Sequence, residues 1–125
     1  MLTQKDYCDY ETCVALKELG YVGSSRYYYT QQDRKFHYDA YNKFYTVRTA
    51  DAMGYVLAIH LYEAQKWLRE EKKLHITIFS QSQESWQYRI TKPHQRLEDG
   101  LYGEDFSSFE EALSEGIKEA IKRIK

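Results

Sequence analysis

The segment Leu74-His-Ile-Thr-Ile-Phe-Ser80 puts Leu74, Ile76 and Ile78 on one side of an extended chain and His75 and Thr77 on the other. Five polar residues, Gln81 to Ser85, lead to Trp86-Gln-Tyr-Arg-Ile-Thr91, where Trp86, Tyr88 and Ile90 alternate with Gln87, Arg89 and Thr91. Period-two alternation on both sides of a polar loop predicts a hairpin with one apolar face, and that face must be covered. Pro93 ends the second strand, because proline has no N–H to give to a ladder.

The cover is encoded downstream. Ala112, Leu113, Gly116, Ile117, Ala120, Ile121 and Ile124 form one helical stripe. Ser107-Ser-Phe-Glu110 reads as a capping box in front of it, predicting a helix over 108–124. Glu110, Glu111 and Glu115 near its start and Lys118, Lys122, Arg123 and Lys125 near its end oppose the helix dipole. A second helix is predicted over 61–73, with Leu61, Ala64 and Leu68 as its stripe and Trp67 broadening it. A third is predicted over 9–20. Asp9 is its N-cap and Gly20 its left-handed C-terminal residue, while Cys8 and Cys13 fall at the two positions of a hydrophobic staple.

Between the first two helices, Ser24-Ser-Arg-Tyr-Tyr-Tyr-Thr30 and 36–45 read as strands joined by the polar turn Gln31–Arg34. Short apolar runs leave 46–59 open between strand and helix. Residues 94–105 form a polar loop with room for a short edge strand. The expected fold is α+β, an antiparallel sheet of 24–30, 36–45, 74–80 and 85–91 with the helices on one face. The whole chain, 1–125, reads as one domain. Tyr10-Glu11, Leu16 and Glu18 recur as Tyr62-Glu63, Leu68 and Glu70, each time before a hairpin, which is compatible with two αββ-type units.

Charge and hydropathy exclude some classes of function. Eighteen Lys and Arg against nineteen Asp and Glu give a net charge of −1, too little positive charge for a protein that wraps DNA. A mean hydropathy of −0.77 with no long apolar run predicts no membrane partner. The first residues carry no apolar signal region, and two cysteines five apart match neither a Cys-x-x-Cys redox motif nor a zinc half-site. The expected location is cytoplasmic, with both thiols free.

The chain resembles a group of short uncharacterised open reading frames of gut bacteria and their phages. The resemblance rests on Tyr10-Glu-Thr-Cys-Val-Ala-Leu-Lys-Glu-Leu-Gly-Tyr21 with its following tyrosines, and on Glu63-Ala-Gln-Lys-Trp-Leu-Arg-Glu70 leading into Ile76-Thr-Ile. Trp86-x-Tyr-x-Ile90 and Phe109-Glu-Glu-Ala-Leu-Ser-Glu-Gly-Ile-Lys-Glu-Ala120 complete it. Members look as if they cap the second helix with Pro-Thr, where this chain has Ile59-His60. The resemblance implies a mobile-element origin and a cytoplasmic α+β domain. It carries no activity, so no residue inherits a role.

No catalytic constellation stands out. His37, His60, His75 and His94 are scattered singly, without His-Glu-x-x-His, Gly-x-Ser-x-Gly or a P-loop. His37 with Asp39, and His94 with Glu98 and Asp99, lack a third ligand at matching spacing. The expectation is a non-enzymatic protein with no catalytic residues, no cofactor and no metal.

What the sequence does offer is tyrosine. Of thirteen, nine lie between Tyr21 and Tyr62, so the excess belongs to the first two strands rather than to the chain at large. Tyr27, Tyr28, Tyr29, Tyr38 and Tyr41 are the candidate interaction face. Alternation sets Tyr27 and Tyr29 against Tyr28, so the rings are shared between the two sides of a strand. Tyrosine suits a protein interface, with a rigid apolar ring and a polar tip. The expectation is a protein partner or self-association. Stacking of single-stranded nucleic acid, with Arg26, Arg34 and Lys35 near the phosphates, ranks below it because no basic stripe interleaves the rings. The plainest alternative leaves the rings filling a wet, half-buried sheet.

Overall fold

The computed structural model describes residues 4–38, 43–82, 85–93, 101–102 and 105–124. The fold is α+β, with all strand pairs antiparallel. Two compact units divide the chain, Met1–His60 and Leu61–Lys125. In each, a helix leads into a hairpin.

The first unit begins with a short 3-10 turn, Gln4–Asp6, and then α1, Tyr10–Glu18. The Asp9 carboxylate accepts from the Thr12 N–H at 2.9 Å, filling the N-cap role its position predicts. At the other end Gly20 has φ 103°, in the left-handed region. Its N–H donates to the Lys17 carbonyl, and that of Tyr21 to the Leu16 carbonyl, the paired bonds of a Schellman motif. Thr12, Cys13 and Leu16 are the buried face of α1. Cys8 and Cys13 are both buried, as the staple requires.

The predicted strand 24–30 breaks at Arg26 into β1, Ser24–Ser25, and β2, Tyr27–Thr30. The predicted strand 36–45 is also not continuous. Its ends are β3, Phe36–Tyr38, and β4, Tyr45–Thr46, which join different sheets: β3 pairs with β2, and β4 with β1. Residues 39–42, including Tyr41, lie outside the described residues. The β2–β3 turn is built around Asp33, whose carboxylate takes the Thr30 hydroxyl and the Lys35 N–H. Those two bonds, the hydroxyl foremost, hold its carboxyl below the usual range.

The open stretch 46–59 resolves into helix and strand. α2, Val47–Ala52, starts from a reciprocal box between Thr46 and Thr49 and ends before Gly54 at φ 76°. β5, Tyr55–Leu57, follows and pairs with β2, giving the order β3-β2-β5. Val56, Leu57, Ala58 and Ile59 are all buried. The apolar run is unbroken because this strand is covered on both sides.

The second unit is α3, Leu61–Lys72, then β6, His75–Ser82, β7, Ser85–Thr91, the short edge strand β8, Leu101–Tyr102, and α4, Phe109–Ile124. The hairpin pairs Ile76 with Ile90 and Ile78 with Tyr88, so the alternating apolar set shares one face, as predicted. α4 lies against that face through Ala112, Leu113, Gly116, Ile117, Ala120 and Ile121, and α3 adds Leu61, Ala64 and Leu68. Gly116 lets α4 come close: a Cβ there would sit 3.0 Å from the Ile76 Cγ2 and 3.1 Å from the Tyr88 Cβ.

Two expectations need correction. The four predicted strands do not share one sheet, because β2–β3 and β6–β7 belong to separate three-stranded sheets. Each hairpin finds its third strand in its own half of the chain, β5 or β8, which satisfies one edge locally. The α4 cap is also one residue later than predicted. Ser108 Oγ accepts from the Glu111 N–H at 3.1 Å, while the Ser107 hydroxyl donates to the Glu111 carboxylate at 2.9 Å. The doubled Ser-Ser and Glu-Glu allow both registers. The chosen one places Phe109 5.7 Å from Trp86 and 6.0 Å from Tyr62, centroid to centroid.

Candidate interaction surface

Register on β2 distributes the tyrosines. Tyr27 faces Tyr38 across the ladder, and Tyr29 faces Phe36 and Val56, all on one side of the sheet. Tyr28 faces His37 and Leu57, with Thr30 beside Tyr55, on the other.

The Tyr29 side is the side of α1. Tyr29 is only 1% exposed, its ring meets Tyr10 edge-on at 6.0 Å, and its hydroxyl donates to the Cys8 carbonyl at 2.6 Å. Burial is the main cause that pushes its phenol up. Tyr29 is therefore a core residue, which corrects its place on the candidate face. Alternation shows that Tyr27 and Tyr29 oppose Tyr28, but not which side a helix will take. Towards the far end of this face, Tyr7 takes over from α1. Its ring packs on Tyr27 at 4.8 Å, His60 at 5.2 Å and Phe36 at 5.4 Å, and desolvation is the main cause of its phenol rising to about 12. Tyr27 is half-buried under this cluster, and Tyr38, 59% exposed, lies at its margin, 6.1 Å from Tyr27.

The face away from α1 carries the denser aromatic group. Tyr28 and Tyr55 stack with centroids 4.0 Å apart and planes at 17°. Tyr45, from β4, stands edge-on to both, at 5.4 Å and 5.6 Å. His37 stacks on the outer side of Tyr28 at 5.5 Å, and the Lys43 ammonium lies 5.3 Å from the Tyr45 ring centroid. Each such ring pair contributes about 0.5–1.5 kcal/mol beyond its buried area. Tyr28 and Tyr55 are half-exposed and His37 is exposed. Of the four predicted face residues that are described, Tyr27, Tyr28, Tyr29 and Tyr38, only Tyr28 belongs to this group. Tyr45 and Tyr55 complete it. Neither is reached by reading 36–45 as one strand and leaving 46–59 open, although Thr46-x-x-Thr49 and Met53-Gly54 mark both ends of α2.

Successive residues of β4 point to opposite sides. Tyr45 joins the ring group, and Thr46 lines an open cavity of about 700 Å³ with Tyr21, Val22, Val47 and Arg48. Val22 and Phe44 are exposed apolar side chains of the same unit.

Among the described residues no group of three or more His, Cys, Asp or Glu could hold a metal ion, and Asp39, His94, Glu98 and Asp99 lie outside them. Among the described residues no helix is long and apolar enough to cross a membrane. Trp67 and Trp86 are both half-buried, Trp67 beneath the Lys72 ammonium at 5.5 Å and Trp86 against Phe109. Comparison with protein-family models, curated proteins and solved structures finds no match to this chain.

Proposed function

We propose that this chain is a non-enzymatic accessory protein, of mobile-element origin as its sequence resemblance implies, that acts in the cytoplasm through contact with another protein. The supporting observation is the Tyr28–Tyr45–Tyr55 group with His37 on the sheet face away from α1. Its rings spend their faces on one another: Tyr45 is buried at the back of the group, and half-exposed Tyr28 and Tyr55 carry its surface. That arrangement suits a protein contact, where a fixed aromatic patch loses little entropy on binding. It suits nucleic acid less. A base needs an open ring face to stack on, and Tyr28 has Tyr55 on one side and His37 on the other.

The test uses the full chain and a Tyr28→Ser/Tyr55→Ser variant whose fold is checked by circular dichroism. Light scattering and affinity capture from host lysate are run on both. The reading expects a self-assembled species or a captured protein that the variant loses. A monomer capturing nothing above background, or equal behaviour of the variant, overturns it. Salt-sensitive binding of a labelled oligothymidylate, lost in the variant, would put nucleic acid in the protein's place.

A further inference from the structure

Cys8 and Cys13 are the chain's only cysteines, both free and both buried at the start of α1. The staple positions bring together two side chains that sequence holds five residues apart. The Cys13 thiol donates to the Cys8 carbonyl at 3.5 Å, and the Ile59 N–H donates to the Cys13 sulfur at 3.4 Å. Contact with the Cys13 side chain, followed by burial, holds the Cys8 thiol well above the ordinary thiol range. A staple needs only two apolar side chains, and Val, Leu or Ile would serve. Two thiols at these positions, with the Cys13 sulfur 3.5 Å from the Cys8 carbonyl oxygen, add a chemistry that the packing does not call for.

We propose that Cys8 and Cys13 are a modification site, a thiol pair that closes to an intrachain disulfide across the N-terminus of α1 under a low-molecular-weight disulfide oxidant. One cysteine, as thiolate, attacks the oxidant's S–S bond. A mixed disulfide forms, and half of the oxidant leaves as a thiol. The second cysteine attacks the protein-side sulfur, the Cys8–Cys13 bond forms, and the other half of the oxidant leaves as a second thiol. The protein gives up two electrons and two protons, and the oxidant takes them.

Burial sets the rate. No reagent reaches cysteines that are 1% and 0% exposed, so exchange waits for residues 4–9 to lift away. Three contacts resist that opening: the Tyr7–His60 bridge, the Cys8 N–H to Ile59 carbonyl bond at 2.8 Å, and the Tyr29 hydroxyl on the Cys8 carbonyl. Closure is slow and gated by opening, and it goes to the internal bond because the second thiol is adjacent.

The experiment incubates the full chain with oxidised glutathione, quenches with acid and alkylating agent, and measures mass without reductant. The wild type should lose about 2 Da, confined to the tryptic peptide Asp6–Lys17, with both thiols protected from alkylation. Cys8→Ser and Cys13→Ser should each accumulate a single glutathione adduct instead. Tyr29→Phe, which removes the tyrosine's bond to the Cys8 carbonyl, should speed closure by about fivefold, the rate equivalent of one hydrogen bond. Two glutathione adducts on the wild type overturn the proposal. So do two alkylatable thiols after an exposure that closes the bond in urea, or a folded chain that oxidises as fast as the unfolded one.

Discussion

The Tyr29 hydroxyl reaches the carbonyl oxygen of Cys8 at 2.6 Å, joining the central strand β2 to the residue that precedes the α1 cap. The ring fills the space beneath the helix and the hydroxyl satisfies a carbonyl that water cannot reach. Tyr29→Phe keeps the ring and removes the donor, leaving that carbonyl with the weak thiol donor of Cys13. We expect a loss of about 1–2 kcal/mol, seen as a lower urea midpoint at unchanged slope.

Tyr7 and Tyr29 predict an alkaline limit to stability. Burial raises both phenols in the folded chain, Tyr7 to about 12, while the unfolded chain releases its protons near 10. The unfolded state therefore binds fewer protons above that point, and stability falls with pH. The contribution is whole below about pH 10 and is lost as pH climbs towards 12, at up to about 1.4 kcal/mol per unit for each group. Urea melts across this range should show the fall, and Tyr7→Phe should make it shallower.

The register of the α4 cap is testable with two neighbouring serines. Ser108→Ala removes the acceptor for the Glu111 N–H and should cost about 1 kcal/mol. Ser107→Ala removes only a hydroxyl bonded to an exposed carboxylate and should cost a few tenths of that. Equal effects in thermal unfolding would contradict the observed register.

Gly116→Leu tests how tightly α4 sits on the second hairpin. A single Cβ already meets the Ile76 methyl at 3.0 Å and the Tyr88 Cβ at 3.1 Å, so a larger side chain must displace helix or strand. We expect a loss of about 1–3 kcal/mol in chemical unfolding, despite leucine's better helix propensity.

Much of the candidate surface was legible as composition but not as place. The concentration of tyrosine around β2 is plain in the sequence, and so is the opposition of Tyr28 to Tyr27 and Tyr29. Tyr45 and Tyr55 join Tyr28 only because β4 and β5 return to β1 and β2. Nothing within a few residues of either tyrosine encodes that return. The Ser107/Ser108 cap failed for a different reason. Two locally equivalent registers were available, and ring packing at Phe109 separates them.

Sequence alone determined the features whose partners lie within one helical turn or one hairpin. These are the Asp9 cap, the Cys8–Cys13 staple, the Gly20 stop, the 74–91 alternation and the apolar stripe of α4. Hydrogen-bond geometry and side-chain period act over a few residues, so these signals are written where they are used. Tertiary structure alone decided that the two hairpins belong to separate sheets, and that Tyr29 goes under α1 while Tyr28 turns away. An extended strand offers two faces of nearly equal aromatic character here. Which one loses its water depends on where a distant helix comes to rest.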